Sequence, residues 1–374
     1  METSQSGVMV ATDPLVSVIV PAHQGGSTLR AALTAIAASD LPREMWELII
    51  VDDASTDDTA MTAAEYADCV VRLPARHGPA YARNRGVEVS RGAIIVFFDA
   101  DVRPHPDALR RMVQSLATQP DVSAVFGAYD THPTAPGFVS QYRNLLHHYV
   151  HWRSAGEAET FWAGCGAIRR DAFLAAGMYD EWRYTRPQIE DVELGHRMRA
   201  LGHRILLLPA IQCSHMKRWR LFDVMRADFK DRGVPWTRLL IQLRAMTRTT
   251  TLNLANVEKL NTILLWLAVA LLVAAGIGRS LELAWFAAAA MTFVVVANLP
   301  LYAFFRRERG ILFALGVIPL HMLYYLNNGL AVAYGWLVHH TVGEPAPDAL
   351  TQAYAEVGVQ MWPPVRSRGR APER

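Results

Sequence analysis

Cysteine is scarce. The 374 residues hold three, Cys69, Cys165 and Cys213, odd in number and far apart. No CxxC occurs, so neither a disulfide framework nor a thiolate zinc site is legible, and a reducing compartment suits the chain. An excess of one charge is missing too. Lys plus Arg number 37 against 35 Asp plus Glu, a formal net charge of +2. That balance argues against a nucleic-acid partner, which needs a clear basic excess. Glycine (24) and proline (20) are ordinary, which excludes collagen-like and disordered chains. The opening METSQSGVMVATDP has neither a basic start nor an apolar core, so no secretory leader is expected, and the N-terminal domain is expected to stay in the cytoplasm.

Charge is also unevenly spread. Of the 37 basic and 35 acidic residues, only 9 and 6 lie after residue 258. Residues 260–278, 283–305 and 311–338 are nearly free of charge. Each is long enough to cross a hydrocarbon layer, which takes about 20 residues. Arg306, Arg307 and Arg309 separate the second and third segments; Arg279 and Glu282 separate the first two. The positive-inside pattern puts the N-terminal domain and the 306–309 loop in the cytoplasm. Three crossings would leave the C-terminus outside. Pro319, Asn327 and Asn328 inside the third segment leave open a kink or a re-entrant pair that returns the tail, and His321 and the two Asn are expected to face protein or a head group. Residues 341–374 read as a mobile tail rich in Pro, Gly and Arg.

Before these segments, residues 217–259 carry ten Lys or Arg and four Asp or Glu. Trp236, Leu239, Leu240, Leu243 and Met246 recur there at helical spacing, with Arg238, Gln242 and Arg248 mostly elsewhere. Residues 221–258 therefore read as amphipathic helix, lying on an anionic leaflet, packed on the preceding domain, or both.

Residues 15–220 read as alternating strands and helices. Short β-branched runs at 16–20, 47–51, 69–73, 93–98, 122–126 and 204–208 are strands. Helices are expected from Ser27 to 38, after a cap at Thr56 or Asp57, from Gly78-Pro79, over 106–118, and over 189–201 up to Gly202. This is an α/β domain with a mainly parallel sheet, whose ligands bind beyond the C-terminal strand ends. Asp52-Asp53 and Asp99-x-Asp101 fall at such ends. Each alone is ordinary turn chemistry. Together they form mutually repelling carboxylates that a hard divalent cation, Mg²⁺ or Mn²⁺, would relieve alongside substrate phosphates. Glu190-Asp191 opens a helix, where acidic residues suit the dipole or supply a general base.

The order of motifs is more specific than any one of them. VSVIVPAHQ, VDDASTDDT, GPAYARNRGVEVSRG, FFDADVRPHP, FWAGCGAIRRDAF, GMYDE, IEDVELGHRMRALGHRI and SHMKRW follow one another. Over residues 15–220 this resembles the family 2 inverting glycosyltransferases of GT-A fold, and the apolar segments resemble those of membrane-anchored bacterial members. The resemblance implies a nucleotide-sugar donor. Pro21 and Ala22 would border the base, and Asp52 or Asp53 would accept the uracil imide N–H, favouring UDP. Arg83 would lie near the diphosphate or position the carboxylates. Asp99 would touch the ribose or donor sugar and Asp101 would hold the cation, with Asp99 and a late His215 completing the metal set. Gly164 and Gly166 would let backbone approach the sugar. Asp191 would be the base, with Glu190 beside it. Arg218 and Trp219 would grip pyrophosphate and stack on a sugar, and Trp162 is an acceptor platform or a core aromatic. Processive synthases carry Gln where His215 stands, which speaks against a polysaccharide synthase. Three retained acidic motifs speak against an inactive scaffold. The expected acceptor is membrane-associated, a polyprenyl phosphate or a lipid-linked saccharide for envelope glycan or glycolipid synthesis at a bacterial inner membrane. A homo-oligomer stays open.

Overall fold

The computed structural model describes residues 14–243 and 255–343. The early tail, Met246, Arg248 and the region 344–374 therefore lie outside the described residues. The chain begins β1 (Val16–Ala22), α1 (Gly26–Ala37), β2 (Trp46–Asp52), α2 (Thr59–Ala64), β3 (Cys69–Arg72), α3 (Pro79–Val89) and β4 (Ile94–Phe98). There follow β5 (Val102–Pro104), α4 (Ala108–Thr118), β6 (Val122–Tyr129), α5 (Phe138–Arg153), β7 (Gly156–Glu157), β8 (Cys165–Arg169) and α6 (Arg170–Ala175). Then come α7 (Glu190–Ala200) and β9 (Arg204–His215).

The nine strands form one sheet, ordered β3-β2-β1-β4-β8-β6-β9-β5, with β7 beside β9. Pairings β1–β2, β1–β4, β2–β3 and β6–β9 are parallel; β8 runs antiparallel to both β4 and β6. The strands bury both faces, as a sheet covered by helices on both sides requires. On β1, Val16, Val18 and Val20 face one core with Leu29, Leu33 and Met112, while Ile19 faces the other with Ala82, Phe173 and Leu194. The expected helix starts shift slightly. The first begins at Gly26 after Gly25, not at Ser27, and Asp58 precedes the second, whose Thr59 N–H is held by Asp57.

After the sheet come α8 (Leu221–Arg226), a π-helical turn over Ala227–Gly233 and α9 (Val234–Gln242). The apolar part is α10 (Asn256–Gly278), α11 (Leu281–Ala297), α12 (Leu299–Arg309) and α13 (Ile311–Thr341). Helices α10 and α13 are long and apolar enough to span a membrane, and α11 with α12 makes a third span if the bent pair counts as one. The second expected segment is thus broken, bending by 56° at Asn298, whose side chain turns back to donate to the Val294 carbonyl. The third is one continuous helix despite Pro319.

Helix α13 runs along α5 and the segments that follow the sheet. Phe313 packs on Phe138 of α5 near one end; Asn327 donates to the Met225 carbonyl of α8 in the middle; Tyr334 packs on Phe229 of the π-helical turn, and Gly335 lies against Thr237 of α9. Arg238 then donates to the Gly343 carbonyl just past its end. Its other side is exposed and apolar, with Leu312, Leu315, Leu330 and Trp336. Several polar residues within these helices have protein partners: Tyr302 meets His321, and Tyr325 links Asn261, Asn298 and Glu258.

Candidate active site

One cleft of about 540 Å³ lies beyond the C-terminal ends of β1 and β4 and continues to α5 and the π-helical turn. That is the size of a small-ligand site. Pro21, Ala22, Asp53, Arg83, Asp99, Asp101, Trp162, Glu190, Asp191, His215 and Trp219 all line it. Residues up to two hundred positions apart thus meet at the edge where strand order reverses, the place at which open α/β sheets bind ligands.

The nucleotide end is built on Asp53. Its two carboxylate oxygens accept the backbone N–H groups of His77 and Gly78, each at 2.8 Å. Gly78 has φ +94°, and a Cβ there would meet the Thr185 carbonyl oxygen at 2.5 Å, so only glycine lets this loop close on Asp53. Asp52 points elsewhere. It is buried, accepts from the Ser55 N–H at 2.9 Å and does not line the cleft. Of the two residues considered for the base, Asp53 is the one at the cleft.

Arg83 organises the centre. Buried on α3, it donates to Asp99 at 2.6 Å and to Glu190 at 3.0 Å. Burial disfavours its charge, but Asp99 and Glu190 more than offset this and raise its pKa. Of its two expected roles, the geometry supports positioning the carboxylates. Glu190 also accepts the Gln188 N–H at 2.9 Å. Beside it, Asp191 accepts the N–H groups of Ala163 (3.2 Å) and Val192 (2.8 Å). Burial pushes the Asp191 carboxyl up, the Glu190 charge adds to this, and Arg83 opposes it. The helix can approach this closely because Gly195 has no side chain: a Cβ would sit 2.3 Å from the Phe161 nitrogen.

The pair Asp101 and His215 is made by β5, which pairs antiparallel with β9 and sets Val102 opposite His215. His215 Nε2 stands 3.6 Å from Asp101 Oδ2. Its Nδ1 donates to Asn144 Oδ1 at 2.7 Å, which leaves Nε2 as the free acceptor, the second-shell arrangement of metal-binding histidines. An imidazole lone pair facing a carboxylate fits a cation between them. Without a cation, burial raises the Asp101 carboxyl, but a protonated His215 donating to it and Lys217 outweigh this and hold it low; a bound cation would take the place of that proton. Asp99, expected in the same set, also lines the cleft and gives one carboxylate oxygen, Oδ1, to Arg83. Among the described residues no group of three or more His, Cys, Asp or Glu could hold a metal. The donors thus fit a hard cation that completes its shell with substrate phosphate oxygens, not a closed protein site.

A family model described as glycosyl transferase family 2 matches residues 17–176. The chain carries a family 2 glycosyl transferase domain. The "Probable glycosyltransferase YdaM" of Bacillus subtilis is 28% identical over 211 residues, 53% of this chain and 49% of that protein. The UDP-Glc:alpha-D-GlcNAc-diphosphoundecaprenol beta-1,3-glucosyltransferase WfgD of Escherichia coli is 28% identical over 121 residues, 32% and 47% of the two chains. The dodecaprenyl-phosphate galacturonate synthase of Rhizobium johnstonii is 29% identical over 127 residues, 31% and 38%. The chain therefore spans about half the length, or less, of these relatives. Among solved structures, the Pyrobaculum calidifontis mannosyltransferase PcManGT, in complex with GDP-Man and Mn²⁺, aligns over 89% of both chains with TM-score 0.53 and 21% identity, a likeness of fold. The fold is GT-A-like. Glu190, Asp191 and His215 lie past the matched segment of the family 2 domain, so their place at the cleft rests on the sheet and α7.

Besides Asp52, three expected residues are not cleft residues. Gly164 and Gly166 are absent from the lining. A Cβ at Gly164 would strike the Trp162 indole at 2.6 Å, and one at Gly166 the Phe161 ring, so these glycines seat the two aromatics against the sheet. Arg218 is exposed and turned away, while its neighbours Lys217 and Trp219 line the cleft, because alternate residues of an extended segment face opposite ways. Trp162, expected as an acceptor platform or a core aromatic, lines the cleft and packs edge-on against Tyr129 at 4.8 Å. Of the apolar face expected on a leaflet or on the preceding domain, Trp236 lines the cleft and Leu239 joins a core of the sheet domain.

The cleft also holds Arg143, His147 and His151 of α5 and Arg232 of the π-helical turn, which the motif reading passed over. The spacing of 143, 147 and 151 is four residues each time, one helical face, and was the available signal. Burial keeps His147 and His151 neutral, the latter lowered to about 4.

Proposed function

We propose that this chain transfers a sugar from a nucleotide-diphosphate sugar to a hydroxyl of a membrane-associated, lipid-linked saccharide, with inversion at the anomeric carbon. The observation that carries this reading is the single cleft in which Asp53, the Asp101–His215 pair and Asp191 meet beside apolar helices. Pro21 and Ala22 border the nucleobase and Asp53 accepts from it, which favours a uracil base. Asp101 and His215 would hold Mg²⁺ or Mn²⁺, which when bound offsets charge on the leaving diphosphate. Asp191, with its pKa raised by burial, accepts the proton of the attacking hydroxyl as the new glycosidic bond forms and the bond to the nucleoside diphosphate breaks. Arg83 holds Glu190 and Asp99 in place during this step. One displacement inverts the anomeric centre and needs no covalent sugar–enzyme species.

The acceptor reaches the cleft from a membrane. In this reading α10 and α11 penetrate the bilayer as a hairpin, and α13 lies in the interface against the catalytic domain, its exposed apolar side to the lipid. Arg309 supports it, donating to Gln141 at 2.9 Å and to the Thr131 carbonyl at 2.9 Å, which ties the basic 306–309 loop to the domain's own side. That side is the cytoplasmic face of a bacterial inner membrane by the positive-inside pattern.

The test uses membranes expressing the wild type, Asp101→Ala or Asp191→Asn, fed radiolabelled UDP- and GDP-sugars with Mg²⁺ or Mn²⁺. Metal-dependent label entering organic solvent from a UDP-sugar, lost in both variants, is expected. Survival in Asp191→Asn would point to a phosphate nucleophile, which needs no base. Absence of label and of released nucleotide with every donor would overturn the reading.

A further inference from the structure

The cleft has a second charged end that the donor and base leave unused. Arg143 is 2% exposed, and both it and Arg232 donate to the same oxygen of buried Asp228. Two guanidiniums thus share one carboxylate. The Nε of Arg143 is buried without a hydrogen-bond partner, in a side chain that lines the cleft. Lys217 adds a further cation, its ammonium 4.4 Å from the centre of the Trp219 ring, with the Arg232 guanidinium 5.8 Å from the same ring. Uncompensated positive charge in a buried site is costly, and the guanidinium fork is shaped for phosphate oxygens.

The carrier of this charge is unusual backbone. Asp228 and Arg232 sit on the π-helical turn, a distortion frequent at functional sites. That turn and its flanks pack on α13 through Phe229–Tyr334 and Asn327–Met225. The cationic end of the cleft is therefore the end where the apolar helices join the domain. An anion held there arrives on a lipid more readily than from solution.

We infer that Arg143 and Arg232, with Lys217 at their edge, form a subsite for the diphosphate of a lipid-linked acceptor, beyond the Asp101–His215 pair from the Asp53 end of the cleft. This deepens the proposed function and rests on it for the word acceptor; the anion site itself does not. The sugar attached to that diphosphate then extends from the subsite toward Asp191, between Trp219 and Trp162, and the polyprenyl chain leaves along α13.

The test measures binding to the full chain in detergent, with saturating UDP and Mn²⁺ so that the donor site is filled. The probes are farnesyl diphosphate, farnesol and inorganic pyrophosphate. Farnesyl diphosphate is expected to bind best, and Arg232→Gln or Lys217→Gln to weaken it about ten- to hundredfold, the size of one lost charge-assisted hydrogen bond. Arg143→Gln is read only if its thermal midpoint matches the wild type. The variants at part-exposed Arg232 and exposed Lys217 carry the test otherwise. UDP affinity is expected to stay the same in all three. Equal binding of farnesol would overturn the phosphate subsite, equal binding of pyrophosphate the lipid source, and loss of UDP affinity would assign these cations to the donor. Failure of UDP itself to bind would sink the glycosyltransferase reading separately.

Discussion

At the scale of single residues, charge partnerships decide who does what. Asp99, Asp101, Glu190 and Asp191 are four carboxylates around one cleft, yet they are not equivalent. Arg83 takes two of them, His215 faces the third, and Asp191 is left with backbone N–H groups in a buried place. That environment raises its pKa, the tuning a base at neutral pH requires. A base must be unprotonated to work, so a raised pKa moves the acid limb of kcat/KM upward. The limb is expected above the ordinary carboxylate range of about 4. A pH profile with its limb at the ordinary value would remove Asp191 from the role. Asp53, Asp101 and Asp191 were legible in the sequence because strand ends and helix starts mark them. A positioning role for Arg83 was among the expectations, but which carboxylates it takes was not legible, since Asp99 and Glu190 lie on separate elements.

At the scale of elements, two close approaches hold the site. Helix α7 reaches the 160–163 segment only through Gly195. Gly195→Ala is expected to cost about 1–3 kcal/mol, as overpacking does, and to lower kcat more than UDP affinity, because it pushes Asp191 away. Thermal unfolding and steady-state kinetics read both effects. The second is between α3 and the 177–184 segment, where buried Glu181 accepts from Asn84 at 2.6 Å and meets Arg85 at 3.2 Å. Burial raises its pKa to about 7, against the opposing Arg85. The folded state therefore takes up a proton here. The associated stability is present below the unfolded value near 4.5 and is lost as pH rises through about 7, up to about 3 kcal/mol in all. Glu181→Gln, which keeps the amide-compatible contact to Asn84, is expected to flatten the thermal midpoint between pH 5 and 8. An unchanged slope would show that Glu181 stays ionised in the fold.

At the scale of the whole molecule, the question is how the apolar helices meet the membrane. Hydropathy marks three equal segments. The structure makes them unequal: α10 and α11 form a hairpin, α12 breaks away by 56°, and α13 lies along the domain from Phe138 to Arg238. With α13 packed on α5 near one end and on α8, the π-helical turn and α9 further along, its far end is expected to stay on the side of the sheet domain. A reporter inserted at Ser280, the hairpin turn, is expected outside, and one fused at the C-terminus inside with the catalytic domain. A C-terminal reporter found outside would restore three crossings. Alkaline carbonate is expected to leave the chain in the membrane pellet.

The α/β pattern, the strand-end carboxylates and the apolar segments follow from the sequence alone, because period, turn chemistry and hydropathy are local properties. The short strands β5 and β8, and α5, carry weaker local signals and owe their form to pairing and packing. Only tertiary structure decided that β5 would set Asp101 against His215, that Gly164 and Gly166 would serve aromatic packing, and that Arg143 and Arg232 would share Asp228. Each of these joins residues far apart in sequence. Their meeting depends on strand order and helix docking, which no local window contains.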